Sequence, residues 1–270
     1  MSEFFSFELK AYKILRDILN YPRYFAFKVS PLHVSAYKGD ISAVHMLIGG
    51  GADINKEADG GTRPLHAAIQ GKHEDVLKLL LEKGSKVDPL DIRGETPMFW
   101  GVSYNFGIGT LKNAGGNINA IGINRETPLH RAITFGSVES AIYLIENGAW
   151  IDALTDRGFT PLSFALLAYS KGLGSDKIVE ALLEKNADVN KVYDGGSTAL
   201  HLAAMFCPPQ IGVALIAKGA KRDVKDNEGA TPLDYAMLRM NFLSALVFLP
   251  FDGKEENKND DNKRTCILPS

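Results

Sequence analysis

Six histidines and two cysteines are the residues of this chain best suited to metal binding or nucleophilic chemistry. His33, His66, His130 and His201 each close a recurring short motif, whereas His45 and His73 stand apart from it. A metal centre needs several Cys, His or carboxylate ligands at set spacing, and neither His45 nor His73 has a matching Cys or carboxylate cluster at metal-ligand spacing. Cys207 lies near His201, but proximity does not make a Cys–His nucleophile, and Pro208-Pro209 directly after it reads as a turn. No P-loop, dinucleotide fingerprint or nucleophile elbow is found. The expectation is no catalytic residue, no metal and no cofactor. Cys266 invites a different chemistry. Thr265-Cys266-Ile267-Leu268-Pro269-Ser270 looks like a prenylation box with four residues after the Cys where the motif has three. Lys263 and Arg264 ahead of it would help a single lipid hold a membrane. Lipidation at Cys266 is therefore kept as an alternative.

The histidines belong to a repeat, and the repeat sets the architecture. Ser30-Pro31-Leu32-His33 returns as Arg63-Pro64-Leu65-His66, Thr96-Pro97-Met98-Phe99, Thr127-Pro128-Leu129-His130, Thr160-Pro161-Leu162-Ser163, Thr198-Ala199-Leu200-His201 and Thr231-Pro232-Leu233-Asp234, at spacings of 33, 33, 31, 33, 38 and 33 residues. A second marker keeps the same phase, for example Gly51-Ala52-Asp53-Ile54-Asn55 and Gly148-Ala149-Trp150-Ile151-Asp152. Thr before Pro starts a helix, since the hydroxyl can cap free N–H groups and Pro at the first helical position loses no needed donor. A second helix follows, apolar at helical spacing, as in Val76, Leu77, Leu80 and Leu81 or Ile178, Val179, Leu182 and Leu183. Gly51, Gly84, Gly148 and Gly219 sit where such a helix stops in the left-handed conformation. A single unit cannot bury its apolar faces, so stability comes from stacking.

With these markers residues 30–250 resemble the ankyrin-repeat family. The resemblance implies an all-α solenoid of about seven helix-turn-helix repeats with short β-hairpin fingers. It also implies that the four motif histidines make structural hydrogen bonds linking the fingers, and that partners are held on a concave face of finger tips and first helices. Residues 1–29 are expected to form an N-terminal capping helix, centred on Phe7 to Asn20, and residues 251–270, all polar through Lys254 to Arg264, a disordered tail.

Several units depart from the pattern. In the third, Gly107 and Gly109 predict a short second helix. In the fifth, five extra residues fall in Ala168 to Ser175 and should lengthen the first helix or loop out after it. In the sixth, Pro208-Pro209 fixes the start of the second helix. In the second, Thr62 is displaced by one place from Pro64, which predicts an irregular start.

With 30 basic and 32 acidic residues, a formal charge of -2 gives no general field for phosphate backbones or anionic lipid, so nucleic acid is not an expected partner. Two cysteines fit a reducing, cytoplasmic compartment, and acidic residues near the N-terminus leave no secretory signal in view. The longest apolar run, Leu243 to Phe251, is too short to cross a membrane. A monomeric scaffold or adaptor for another protein is expected, found in a eukaryotic cell or acting in host cytoplasm as a bacterial effector. Mapped onto this sequence, the concave surface that the resemblance implies nominates Ile92, Arg93, Ile123, Arg125, Asp156, Arg157, Phe159 and Tyr193 on the fingers, and Tyr104, Phe135, Met205 and Phe206 on the first helices, as partner-binding residues. Tyr104, Phe135, Phe159, Tyr193, Met205 and Phe206 would form one aromatic patch.

Overall fold

A computed structural model describes residues 29–193, 195–238 and 242–249. The expected capping helix, Asp194, the polar tail and Cys266 lie outside these residues. The helices come in successive pairs, a first and a second helix per unit: α1 (Pro31–Lys38) and α2 (Ile41–Gly49), α3 (Pro64–Gly71) and α4 (Glu74–Glu82), α5 (Pro97–Tyr104) and α6 (Ile108–Asn113), α7 (Pro128–Thr134) and α8 (Val138–Glu146), α9 (Pro161–Ala168) and α10 (Asp176–Glu184), α11 (Ala199–Phe206) and α12 (Pro209–Ala217), α13 (Pro232–Leu238) and α14 (Phe242–Phe248). Each first helix packs on the first helix of the next unit and on its own second helix. The shared core runs the length of the stack. The Leu or Met after each helix-starting Pro or Ala, from Leu32 through Leu65, Met98, Leu129, Leu162 and Leu200, is buried in it beside Leu80, Leu144, Leu182 and Leu215 of the second helices.

The motif histidine locks the helix start. Nδ1 of His130 accepts the N–H of Thr127 at 3.2 Å, and Nδ1 of His201 that of Thr198 at 3.1 Å. A backbone N–H can only donate, so Nδ1 is unprotonated and the ring proton sits on Nε2. That proton faces the next unit, and His33 and His201 donate it to the carbonyls of Thr62 at 3.3 Å and Ala230 at 3.2 Å. The expected inter-finger link is thus made by these two. His66 and His130 bury Nε2 without a well-formed hydrogen bond, although the Phe159 carbonyl faces the His130 ring, and their rings meet Trp100 and Phe164 edge to face at 5.1 and 4.9 Å. In the last unit Asp234 does the capping, its carboxylate accepting the N–H of Thr231 at 2.7 Å.

The fingers are turns. No strand is formed among the described residues, in place of the expected β-hairpins, because each finger holds only a closing bond and a turn bond and then returns to helix. Thr155 donates to the Phe159 carbonyl at 3.0 Å and Tyr193 to that of Ser197 at 2.8 Å. Neighbouring fingers are tied singly, Ile92 to the Gly60 carbonyl at 3.0 Å and Asp156 to the Asn124 carbonyl at 2.9 Å. One bond per pair is too few for a ladder.

The irregular units follow their sequences. α6 has six residues where α4 and α10 have nine, and Gly107 precedes it with φ 73°. The five-residue excess becomes a 3-10 turn, Tyr169–Lys171, extending α9, followed by a loop into α10. Pro209 opens α12, and α3 starts behind Arg63 after a 3-10 turn at Asp59–Gly61.

Candidate partner-binding surface

Residues three places after the helix-starting Pro, and one turn beyond, share one helix face. In the middle units these are Trp100 with Tyr104, Arg131 with Phe135, and Phe164 with Leu167. The finger of each unit stands over this face, and two grooves open between them.

The first groove, about 580 Å³, spans the second to fourth units. Trp100 is its floor, stacked on Tyr104 with centroids 5.9 Å apart. The indole N–H donates to Oδ2 of Asp91 at 3.0 Å, while Oδ1 of Asp91 accepts the N–H groups of Arg93 at 2.8 Å and Glu95 at 2.9 Å. The buried carboxylate therefore holds the finger turn and orients the indole at once. Arg131 forms the far wall. Its guanidinium pairs with Glu95 of the preceding finger and, at 3.8 Å, with Glu126 of its own. It also lies 5.3 Å from the centre of the Phe99 ring and 5.9 Å from that of Phe135. A delocalised cation over two rings and between two carboxylates is an arrangement that Lys could not reproduce. Burial raises the Glu126 pKa, with Arg131 opposing and Glu95 adding to the rise. Ile92 and Phe135 line this groove and remain 79% and 53% exposed.

The second groove, about 510 Å³, lies in the fourth and fifth units between Asn124, Asp156, Arg157, Phe159, Phe164, Lys171 and Leu173. The 3-10 turn of the fifth unit supplies Lys171, and the loop behind it Leu173, so the extra residues build one wall.

The expected position of Tyr193 is corrected. Its side chain is buried, stacked on Phe159 with centroids 5.4 Å apart, and its hydroxyl reaches to 3.5 Å from Oγ1 of Thr160. The reason is Ser163, which stands where other units carry His. The small side chain leaves the imidazole's space empty, and the phenol of the next finger fills it. Burial pushes the Tyr193 phenol up to about 12. Tyr193 is therefore a stacking residue that supports Phe159 from behind. The single aromatic patch divides accordingly. Tyr104 and Phe135 line the first groove with Ile92 and Arg93, and Phe159 the second with Asp156 and Arg157. Ile123 and Arg125 are exposed on the intervening finger, and Met205 and Phe206 are half-buried in the sixth unit, outside the lining of either groove.

Trp100, Arg131 and Phe164 are not among the residues nominated from sequence, although Trp100 and Arg131 stand one turn before Tyr104 and Phe135, which are. Helical phase was the available signal. A parallel pairing recurs in the seventh unit, where Tyr235 donates to Oδ2 of Asp226 at 2.7 Å, again nine residues on. Where the aromatic is Phe164 and has nothing to donate, the finger residue is Thr155, which accepts only the N–H of Phe159, at 3.1 Å.

Burial lowers the pKa of all four motif histidines, those of His66 and His130 to about 4. Asp91 opposes the shift at His66, and the Phe159 carbonyl opposes it at His130. Neutral, buried and used for capping, these rings are not poised as bases near pH 7. No cluster of three His, Cys, Asp or Glu among the described residues could hold a metal ion, and no helix among them is long and apolar enough to cross a membrane.

A family model of ankyrin repeats matches residues 32–109, 107–193 and 167–261. The human ankyrin repeat and SOCS box protein 16 is 30% identical over 217 residues, covering 78% of this chain and 48% of that protein. A Danio rerio protein named for palmitoyltransferase activity, ZDHHC13, is 32% identical over 145 residues, 52% of this chain and 22% of that protein. The chain thus spans about half or less of the length of these relatives. Among solved structures, the human ASB11 ankyrin repeat domain superposes with a TM-score of 0.69 at 27% identity, covering 82% of this chain and 98% of that one.

Proposed function

The chain belongs to the ankyrin-repeat family, and from that membership we propose that it is a scaffold or adaptor that holds a protein partner on the concave face of fingers and first helices. The observation that carries the reading is a pair of adjoining grooves whose apolar side chains, Ile92 and Phe135 foremost, stay exposed among polar finger residues. Apolar and aromatic anchors within a polar rim are what protein interfaces bury. An enzymatic role is not proposed, since the histidines of the stack are occupied in capping and linking. A cytoplasmic setting fits the low cysteine count.

The experiment is affinity capture from lysate with the wild-type chain and with Ile92→Ser and Phe135→Ala, each checked for its melting temperature. Both side chains are more than half exposed, so the variants should melt as the wild type does. A partner bound in the first groove is expected to lose ~10-fold in affinity with either change, as at a central anchor. A partner held equally by all three proteins would show that another face is used.

A further inference from the structure

The finger of the fourth unit breaks a backbone rule that its neighbours keep. Three residues before helices α3, α5, α9, α11 and α13 the chain has Gly61, Gly94, Gly158, Gly196 and Gly229, with φ of 72°, 70°, 74°, 80° and 82°. Before α7 the same place holds Arg125 at φ 58°, preceded by Asn124 at φ 56°. A residue with a Cβ is strained there and glycine is not, so the arginine is kept against a gain in stability. Strain of this kind marks a place where the side chain is wanted for something else.

What Arg125 adds is charge at a finger tip. Arg93, Arg125 and Arg157 are exposed on three consecutive fingers and Lys171 on the adjoining turn, and none of the four has an ion pair or side-chain hydrogen bond among the described residues. The carboxylates of the same fingers are already engaged. Asp91 accepts two N–H groups and the Trp100 indole, and Glu95 and Glu126 hold Arg131. Asp156 is the one exposed acid in finger residues 89–96, 120–127 and 153–160. A chain of formal charge -2 thus presents a locally basic edge along three consecutive fingers, with Ile92 and Ile123 exposed between the cations.

We infer that the fingers of the third to fifth units bind an extended acidic segment of a protein partner, with Arg93, Arg125 and Arg157 taking its carboxylates and Ile92 and Ile123 its apolar side chains. The inference rests on the interaction reading above and adds the chemistry of the partner. Arg guanidinium groups take carboxylates with two parallel hydrogen bonds. The spacing fits as well. Packed helices sit about 8–10 Å apart and an extended chain advances about 3.3 Å per residue, so one finger corresponds to about every third residue of the segment.

The test is fluorescence anisotropy with a fluorescein-labelled peptide of about twelve residues carrying glutamate at every third position, leucine and serine between, against the same peptide with lysine for glutamate. The glutamate peptide should bind and the lysine peptide should not, and binding should weaken several-fold as salt rises from about 50 to about 300 mM. Arg125→Gly should raise the melting temperature and yet weaken the glutamate peptide about threefold to fivefold, while Arg125→Lys, which keeps the charge but not the two parallel hydrogen bonds, keeps only part of the binding. Equal binding of both peptides, binding indifferent to salt, or Arg125→Gly that melts higher and binds unchanged would each overturn the inference. If the glutamate peptide fails while Phe135→Ala still releases a captured partner, the acidic preference is wrong and the groove reading stands; if both fail, both are wrong.

Discussion

Tyr193→Ala should unfold the stack where a surface role for Tyr193 would leave it intact. The ring is 4% exposed, and truncating a buried aromatic to Ala costs about 3–5 kcal/mol. The Phe159 ring loses its stacking partner as well. For a chain of this size each kcal/mol lowers the melting temperature by about 2–4 °C, so a fall of about 10 °C is expected by differential scanning fluorimetry or circular dichroism. Tyr193→Phe keeps the ring and removes a hydroxyl whose contact with Thr160 is a long 3.5 Å, and should cost about 1 kcal/mol or less. The cause is tested by Ser163→His. That imidazole would enter the space now held by the phenol, so the change alone should destabilise, and combining it with Tyr193→Ala should recover part of both losses, a coupling expected only of residues that share a site. With the folded phenol at about 12 against about 10 unfolded, its burial favours the folded state below pH 10 and ceases to do so as pH rises towards 12. A Tyr193→Ala protein that melts within about 2 °C of wild type, or additive losses in the double variant, would refute the argument.

Acid should weaken the fold before carboxylates titrate: His66 and His130 have folded pKa values of about 4 against about 6.5 unfolded. The unfolded chain therefore binds more protons between those values, and stability present above pH 6.5 is lost as pH falls, by about 2 kcal/mol for each residue at pH 5; urea midpoints unchanged from pH 7 to pH 5 would contradict this. Trp100→Phe keeps the groove floor but deprives the buried Asp91 carboxylate of its indole donor, which should cost about 1–3 kcal/mol and be recovered in part by Asp91→Asn, read from the same melts. Amide exchange should be fastest within the described residues along the six-residue α6 and the turn after α9, and protection there equal to that of α4 and α10 would show that the irregular units are as firmly held as the regular ones.

Most of the stack was legible because its signals are local and repeated. The repeated Pro-Leu phase sets the helix starts, and a glycine after the second helix, or Asn186 in the fifth unit, sets its stop, as at Gly84 with φ 92°. Pro208-Pro209, the paired glycines of α6 and the displaced Thr62 likewise act on their own backbone and did what their chemistry requires. Side-chain destinations across units were another matter. Whether Tyr193 points out or in depends on Ser163 one unit away, and no reading of the finger alone could show it. The hairpin expectation failed for a related reason, since a strand needs a run of cross-finger bonds and each finger is only long enough for one. Trp100, Arg131 and Phe164 lay within reach of helical phase.

The repeats that keep the pattern and the repeats that break it have different work. Where His sits in the motif, it caps its own helix and, in the first and sixth units, binds the next finger as well. Where His is replaced in the middle of the stack, the vacated place is filled by a ring: Phe99 under the Arg131 guanidinium in the third unit, and Tyr193 behind Phe159 in the fifth. Those same two units carry Trp100 and Phe164 as groove floors, and the fourth unit between them spends backbone strain on Arg125. A stack needs only nearest-neighbour contacts to stand, so a few units can abandon the regular motif without dissolving the rest. The departures that touch the grooves fall in the third to fifth units and on one face, beside others that do not, among them the six-residue α6, the Pro209 start of α12 and Asp234 in the last unit. Those away from the grooves are what erosion of a repeat leaves, whereas a surface shaped around one partner adds a concentration of departures where that partner lies. Restoring the motif should separate the two explanations. Ser163→His with Tyr193→Asn, together with Arg125→Gly, rebuilds regular units four and five; it should melt above either Ser163→His or Tyr193→Ala alone while weakening capture of a partner seated on the fourth finger and the second groove. A rebuilt stack that captures its partner undiminished would mean that the departures are drift and that specificity resides elsewhere.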